Sequence, residues 1–423
     1  MISRPKGTED RLPAETGKWL RVERVLRDVS ERFNYREIRT PIFEHTELFT
    51  RTVGETTDIV EKEMYTFKDR AGRSLTLRPE GTAPVGRAYI ENRLYSGPQP
   101  VKVYYIGPMF RYEKPQAGRY REFVQYGAEL LGSSSPLCDA EVIFLAVEIC
   151  NTLGLTETTL HLNSIGCPGC REGYRKALTE YLGARESDLC DDCRRRVGRN
   201  PLRVLDCKNE TCRAILAEAP SMLDYLCTGC KEHFETLGKI LTGMGMSYRI
   251  DPSLVRGLDY YTRTVFEVKW PPLGAQDAIL GGGRYDGLVE ALGGPSVPGV
   301  GFAVGLERLL MAVEKGKNPP QGWDRLDCFV CYVDDALAYR ALEIANRLRA
   351  AGVSADFDQL GRSLKAQMKQ ASRYEARHAI ILGPEETARG VATVRSMDEG
   401  WQREVPLSEI EKEIVSLTRA GGR

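Results

Sequence analysis

Phe110-Arg111-Tyr112-Glu113-Lys114-Pro115-Gln116-Ala117-Gly118-Arg119-Tyr120-Arg121 is where an apolar stretch, residues 101–112, turns back into a second, residues 121–131. Both stretches carry Val, Tyr and Phe, and the polar loop from Glu113 to Tyr120 joins them. The pattern predicts a long antiparallel hairpin. Arg111 and Glu113 are two apart and so share one face of a strand; Gln125 and Glu129 are four apart on the facing strand and share one too. Lys114, Arg119 and Arg121 add positive charge between them. An arginine and two carboxylates on one sheet face suit a polar pocket floor. They suit equally the solvated face of an antiparallel sheet.

Outward from the hairpin, helices and strands alternate irregularly. Toward the N-terminus, Leu20, Val25, Leu26, Val29 and Phe33 recur at helical spacing within 15–33, residues 36–43 read as a strand broken by Pro41, and 80–94 read as a helix. Toward the C-terminus come a helix at 139–153, strands at 158–163, 247–250, 264–269 and 276–281, a turn at Gly281-Gly282-Gly283, a helix near 285–292, a strand near 299–304 and a helix from Leu306. Residues 315–326 have linker composition. Beyond them strand and helix alternate at 327–333, 335–350, 354–358, 361–375 and 378–382, an α/β domain.

The 423-residue chain has 59 basic and 59 acidic residues, so any nucleic-acid contact must be local, not a global basic field. With 42% apolar and 28% charged residues it reads as an ordinary globular protein. It has no apolar run of spanning length, and its N-terminus lacks the apolar core of a secretory signal, so a cytoplasmic protein without membrane partners is expected. Four histidines far apart in sequence place any chemistry on arginines and carboxylates.

Four further segments carry candidate chemistry. In Leu77-Arg78-Pro79-Glu80-Gly81-Thr82, Glu80 and Thr82 stand at a helix start, as caps or as the wall of a polar pocket. Arg256-Gly257-Leu258-Asp259-Tyr260-Tyr261-Thr262-Arg263 has two tyrosines between two arginines. The glycine-rich Gly281–Gly287 and Gly299–Arg308 have neither the G-x-G-x-x-G nor the P-loop spacing, so a nucleotide would bind outside those folds.

Eight of the 12 cysteines fall between Cys167 and Cys230, as Cys167/Cys170, Cys190/Cys193, Cys207/Cys212 and Cys227/Cys230. Three of these pairs have the two-residue gap of zinc knuckles. They suit two four-cysteine sites for structural Zn2+, one site with cysteines left over, or a set of reduced thiols. In the last domain Lys365, Lys369, Arg373 and Arg377 recur every four residues, a basic stripe on one helical side or a solvated face.

Taken in order, these segments resemble the histidyl-tRNA synthetases, a class II aminoacyl-tRNA synthetase family. The likeness rests on Arg39-Thr40-Pro41-Ile42-Phe43-Glu44 (motif 1), Phe110–Glu113 with the loop and strand to Glu129 (motif 2), Gly301–Arg308 ending Gly-Leu-Glu-Arg (motif 3), and the segments 256–263 and 278–287. It implies an α+β fold: a class II antiparallel sheet flanked by helices, a helical insertion domain and a C-terminal α/β anticodon-binding domain. The boundaries expected are 1–165 and 236–318 for the catalytic core, 166–235 for the insertion and 325–423 for the last domain.

The resemblance also implies a homodimer through motif 1, and ATP with Mg2+, L-histidine and tRNA(His) as substrates. Arg256 and Arg111 would be catalytic. Arg111, Glu113, Arg119 and Arg308 would hold ATP. Glu80, Thr82 and Gln125 would hold the histidine α-amino group, with Gly81 also in the histidine site, Glu129 and Tyr261 on the imidazole, and Tyr260, Tyr285 and Gly283 as pocket wall. Lys114 and Gln116 would meet the tRNA acceptor end, and Lys365, Lys369 and Arg373 the anticodon. Two other readings of the motifs are a non-catalytic regulatory paralogue of the same fold and a zinc-ribbon nucleic-acid-binding protein. The first typically lacks the anticodon domain, and the second leaves the arginines and carboxylates without a reason.

Overall fold

A computed structural model describes residues 2–54, 57–116, 118–274, 277–316 and 325–420. Ala117 of the hairpin loop and most of the expected linker lie outside the described residues. The chain divides into two units, residues 1–322 and 323–423.

In the first unit the hairpin lies within an eight-stranded sheet. The strand order is Arg36–Glu37, Val101–Phe110, Glu122–Leu131, Gly299–Gly305, Ala278–Arg284, Thr262–Lys269, Thr159–Ser164, Tyr248–Ile250. The six inner strands pair antiparallel, and the two short edge strands pair parallel. Pairing in the hairpin runs from Val101 opposite Leu131 to Phe110 opposite Glu122. Arg111 and Glu113 therefore lie past the strand end, and do not share a strand face as their spacing suggested. Pro41 separates the strand Arg36–Glu37 from Phe43–His45, which belongs to a separate three-stranded sheet with Ser74–Leu77 and Tyr65–Lys68.

The turn expected at Gly281-Gly282-Gly283 is instead the middle of a sheet strand. Glycine is needed there for close approach, not for reversal. A Cβ at Gly281 would come 2.5 Å from Arg256 Nη1, and one at Gly283 would come 2.5 Å from the Thr264 carbonyl.

Helices Pro13–Arg32, Pro136–Thr152 and Thr228–Gly243 share one core with the sheet, through Val22, Leu26, Val29, Ile143, Ile149, Leu237, Tyr126 and Phe302. Each such side chain contributes roughly 1.5–3 kcal/mol by burial. Leu20, expected on the apolar face of the first helix, is exposed. Beneath the core lies a buried charge cluster that the sequence reading did not anticipate. Arg284 and Asp139, both fully buried, are ion-paired, and His233 Nε2 lies 3.2 Å from Asp139 Oδ1. The arginine and histidine hold the Asp139 carboxyl below its ordinary range against the opposing effect of burial.

The second unit has a five-stranded sheet in the order Ala355–Phe357, Cys328–Tyr332, His378–Leu382, Val391–Ser396, Gln402–Pro406. The first three strands are parallel and the last two antiparallel. The alternation read from the sequence covers the parallel part. It missed the last two strands and the helix Ile410–Ala420. Helix Leu364–Arg373 exposes Lys365, Lys369 and Arg373 and buries Gln367 and Ala371. The helix ends before Arg377, which lies near Asp327 instead, so the basic stripe has three members.

Candidate active site

Two adjoining cavities open on the antiparallel sheet. The first, of about 160 Å³, is lined by Glu80, Thr82, Arg111, Gln125, Glu129, Arg256, Tyr260, Tyr261 and Tyr285, with Gly281 and Gly301 beneath. The second, of about 300 Å³, is lined by Glu63, Arg111, Glu113, Arg119, Gly257, Gly305 and Arg308. Arg111 belongs to both walls.

Glu129 organises the first cavity. Thr82 Oγ1 donates to its Oε1 at 2.7 Å, and the Tyr285 hydroxyl donates to Oε2. The residue is 1% exposed, and burial pushes its pKa up to about 8. It is therefore largely a neutral carboxylic acid near pH 7, able to donate as well as accept. Glu80 is also buried and raised by burial, and it accepts from the backbone N–H groups of Thr82 and Ala83 at 2.7 and 2.9 Å. It thus caps helix Thr82–Glu91 and lines the cavity at once; the two readings of its segment are not exclusive. Gly81 has no room for a side chain, because a Cβ there would overlap the Tyr105 ring. The Tyr105 hydroxyl donates to Gln125 Oε1 at 3.2 Å.

Arg256 stands across the cavity. Its Nη1 donates to Glu267 Oε1 at 2.6 Å, and its guanidinium carbon lies 5.9 Å from the centre of the Tyr261 ring. Its Nε is buried with no hydrogen-bond partner among the described residues. A fixed guanidinium with an unused donor suits an anionic group arriving from outside. Glu267 and Tyr105 were missed from sequence. Glu267 is one polar residue in the pleat alternation of its strand, and only the fold brings it to Arg256.

The second cavity sets four arginines, Arg111, Arg119, Arg203 and Arg308, beside three carboxylates, Asp58, Glu63 and Glu113. Arg111 Nε donates to the Pro79 carbonyl at 2.8 Å, and Arg119 Nη1 pairs with Glu113 Oε2 at 3.3 Å. Burial, and then the nearby Arg119, hold the Arg308 guanidinium below its ordinary value. Several guanidinium forks on one cavity wall suit a polyanion such as a phosphate chain. Lys114 and Gln116 lie on the loop above, where Gln116 and Arg119 form an isolated bridge. Lys365, Lys369 and Arg373 belong to the other unit.

The eight clustered cysteines fall into two groups by fold, not by sequence order. Cys167, Cys170, Cys227 and Cys230 form one, and Cys190, Cys193, Cys207 and Cys212 the other; within each, all sulfurs lie within 4.8 Å of one another. Sγ of Cys167 and Cys170 are 3.5 Å apart, and those of Cys190 and Cys207 are 3.8 Å apart. A tetrahedral zinc centre with four sulfur ligands and bonds of about 2.3 Å has edges of about 3.8 Å. The donor set and its spacing therefore fit zinc.

An antiparallel sheet with arginines from its hairpin and from the start of a following helix, joined to a mixed α/β unit, defines a class II aminoacyl-tRNA synthetase fold. The family model described as histidyl-tRNA synthetase matches residues 7–309, and that of an anticodon binding domain matches 327–417. The histidine–tRNA ligase of Halothermothrix orenii is 52% identical over 417 residues, 98% of this chain and 99% of that one. That of Desulforudis audaxviator is 55% identical over 413 residues, 97% of each chain. The crystal structure of apo S. aureus histidyl-tRNA synthetase superposes with a TM-score of 0.82 at 39% identity, covering 98% of this chain and all of that one. The chain belongs to the histidyl-tRNA synthetase family.

Proposed function

We propose that this chain ligates L-histidine to tRNA(His) in two steps. A carboxylate oxygen of histidine attacks the α-phosphorus of ATP, and pyrophosphate leaves. A terminal ribose hydroxyl of the tRNA then attacks the carbonyl carbon of the adenylate, and AMP leaves. The observation that carries the reading is the position of Arg111, on the wall shared by a small polar cavity and an arginine-lined one. A group there can hold the histidine carboxylate and the α-phosphate together, which is the orientation the first step needs.

In this reading Glu80, Thr82 and Gln125 take the α-amino group, and Glu129 with Tyr261 reads the two imidazole nitrogens. Tyr260, Tyr285 and Gly283 close the wall. Arg256 faces the α-phosphate, where negative charge grows in the transition state. Glu113, Arg119 and Arg308 hold the rest of the ATP, which enters as its Mg2+ complex; that ion neutralises phosphate charge when bound. Lys114 and Gln116 serve the acceptor end, and Lys365, Lys369 and Arg373 the anticodon. The domain boundaries proposed remain 1–165 with 236–318, 166–235, and 325–423.

Two exposed apolar residues of motif 1, Ile42 and Phe43, support a homodimer. Among the described residues no helix is long and apolar enough to cross a membrane; the proposal places the enzyme in the cytoplasm. It includes structural Zn2+ on the two cysteine groups. The test of the central claim is histidine-dependent ATP–pyrophosphate exchange. The wild-type chain should exchange only with histidine present, and Arg256→Ala should lose at least 100-fold, ~2.7 kcal/mol. No exchange by the folded wild-type chain would overturn it.

A further inference from the structure

The segment between Cys167 and Cys230 opens on one long helix, Pro168–Gly183, and continues in short helices and turns. Its helices Asp191–Val197 and Glu210–Leu216 have seven residues each, too short to persist alone. Four of the twelve buried residues of its apolar cluster are Cys170, Cys193, Cys212 and Cys230, packed with Tyr174, Leu178, Leu182, Leu189 and Met222 among the others. Backbone N–H groups already point at the sulfurs: Cys227 N–H donates to Cys170 Sγ at 3.1 Å, and Cys190 N–H to Cys212 Sγ at 3.3 Å. Such bonds stabilise thiolates that carry a metal.

Each cysteine group also seats one arginine that reaches into the catalytic half. Arg171 follows Cys170 directly, and its Nη1 donates to the Tyr261 carbonyl at 3.2 Å. Arg203 lies between Cys193 and Cys207 on the turn Pro201–Asp206, and its Nη2 donates to the Gly257 carbonyl. The two carbonyls bracket the loop that carries Tyr260 and follows Arg256. Within the loop only Gly257 and Asp259 are exposed, and the Asp259 N–H donates to the Val53 carbonyl at 3.1 Å; Arg203 also lines the arginine-bearing cavity. A third join is made by the backbone, where Arg263 N–H donates to the Gly166 carbonyl at 2.8 Å.

We propose that the cysteine-rich segment is a two-metal clamp on the loop 256–261. Each cysteine group binds one divalent ion of the zinc class, and each ion fixes one positioning arginine, Arg171 or Arg203, against that loop. The clamp rests on the proposed reading of the cysteines as zinc ligands and of Arg256 as catalytic. It adds the route by which the metals act on adenylation.

Metal analysis of the full-length chain, purified without added zinc, tests the first half. Two equivalents are expected, falling by one in Cys167→Ser/Cys170→Ser and by one in Cys190→Ser/Cys193→Ser. Should either double variant not fold, titrating metal release from the wild-type chain with a thiol reagent decides the same point in two steps of four thiols. Under half an equivalent, with eight titratable thiols, overturns it. Pyrophosphate exchange by Arg203→Ala and Arg171→Ala tests the second half. Each should keep both ions and lose roughly 3- to 10-fold in kcat, with a smaller change in the histidine KM and partial rescue by Arg203→Lys. Unchanged kcat in both variants, with metal retained, overturns the clamp. An active Arg256→Ala chain would overturn the catalytic reading beneath it, so the two failures are read from different variants.

Discussion

Gly301 lies directly opposite Glu129 in the register of adjacent strands, and a Cβ at Gly301 would overlap the Glu129 carboxylate. The bare backbone of one strand thus makes the space in which the buried acid of the other is held. Gly301→Ala should push Glu129 off its bonds to Thr82 and Tyr285 and narrow the first cavity. The expected outcome is a rise of at least tenfold in the histidine KM, about 1.4 kcal/mol, with the ATP KM nearly unchanged. Steady-state pyrophosphate exchange at varied histidine and at varied ATP separates the two constants.

Glu129 also sets a pH dependence of stability. Burial raises its pKa from an ordinary 4.5 to about 8. Below pH 4.5 it is protonated in both folded and unfolded chains and costs nothing. Between 4.5 and about 8 the unfolded chain loses the proton while the folded one keeps it, so stability falls with rising pH across that window. Above 8 the penalty is constant. Glu129→Gln removes this titration. Its melting temperature relative to wild type should therefore rise between pH 5 and pH 8.5, by an amount corresponding to a few kcal/mol at most. Thermal melts of the ligand-free proteins at both pH values check the sign.

Arg256 is held between Glu267 and the bare strand at Gly281. Charge alone should not suffice there, because a lysine lacks the planar fork. Arg256→Lys is expected to lose roughly 10- to 100-fold in exchange kcat. Gly281→Ala, which displaces the guanidinium without removing it, should fall in the same range. Wild-type kcat in Gly281→Ala would show that the position of Arg256 against this strand does not matter.

Asp139 and Arg284 form a fully buried ion pair with His233 beside it. Arg284 Nη1 also donates to the part-buried Asp286 at 3.0 Å, so removing Asp139 takes away the buried half of its compensation, at a cost of up to about 3–5 kcal/mol. Asp139→Ala should unfold at much lower urea than wild type. The double change Asp139→Leu/Arg284→Met should recover part of the loss, since neither fully buried charge then remains and Asp286, which loses Arg284 as a partner, still reaches solvent. Equilibrium urea unfolding of the three proteins measures both effects.

Phe43 is 53% exposed and packs edge-on against Phe67, with ring centres 6.4 Å apart. If this apolar surface joins two copies of the chain, Phe43→Asp should yield monomer at micromolar concentration without unfolding the protein. Sedimentation velocity decides it, and a wild-type chain that sediments as a monomer would remove the premise.

Local chemistry determined much of this protein by itself. Pleat alternation and turn residues marked the hairpin, helical periodicity marked the principal helices, and the order of arginine-bearing motifs carried the likeness to a synthetase family. These are short-range signals, written in neighbouring residues. The rest was decided by contacts across long separations. Gly281-Gly282-Gly283 reads locally as a turn, and only the arginine and carbonyl pressed against it make it a strand. Glu267, Asp139, Arg171 and Arg203 carry no local mark, because each owes its role to a partner brought near by the fold. The four cysteine pairs could be combined in several ways along the chain. Which pairs share a site followed only when the helices folded back and set Cys227 and Cys230 beside Cys167 and Cys170.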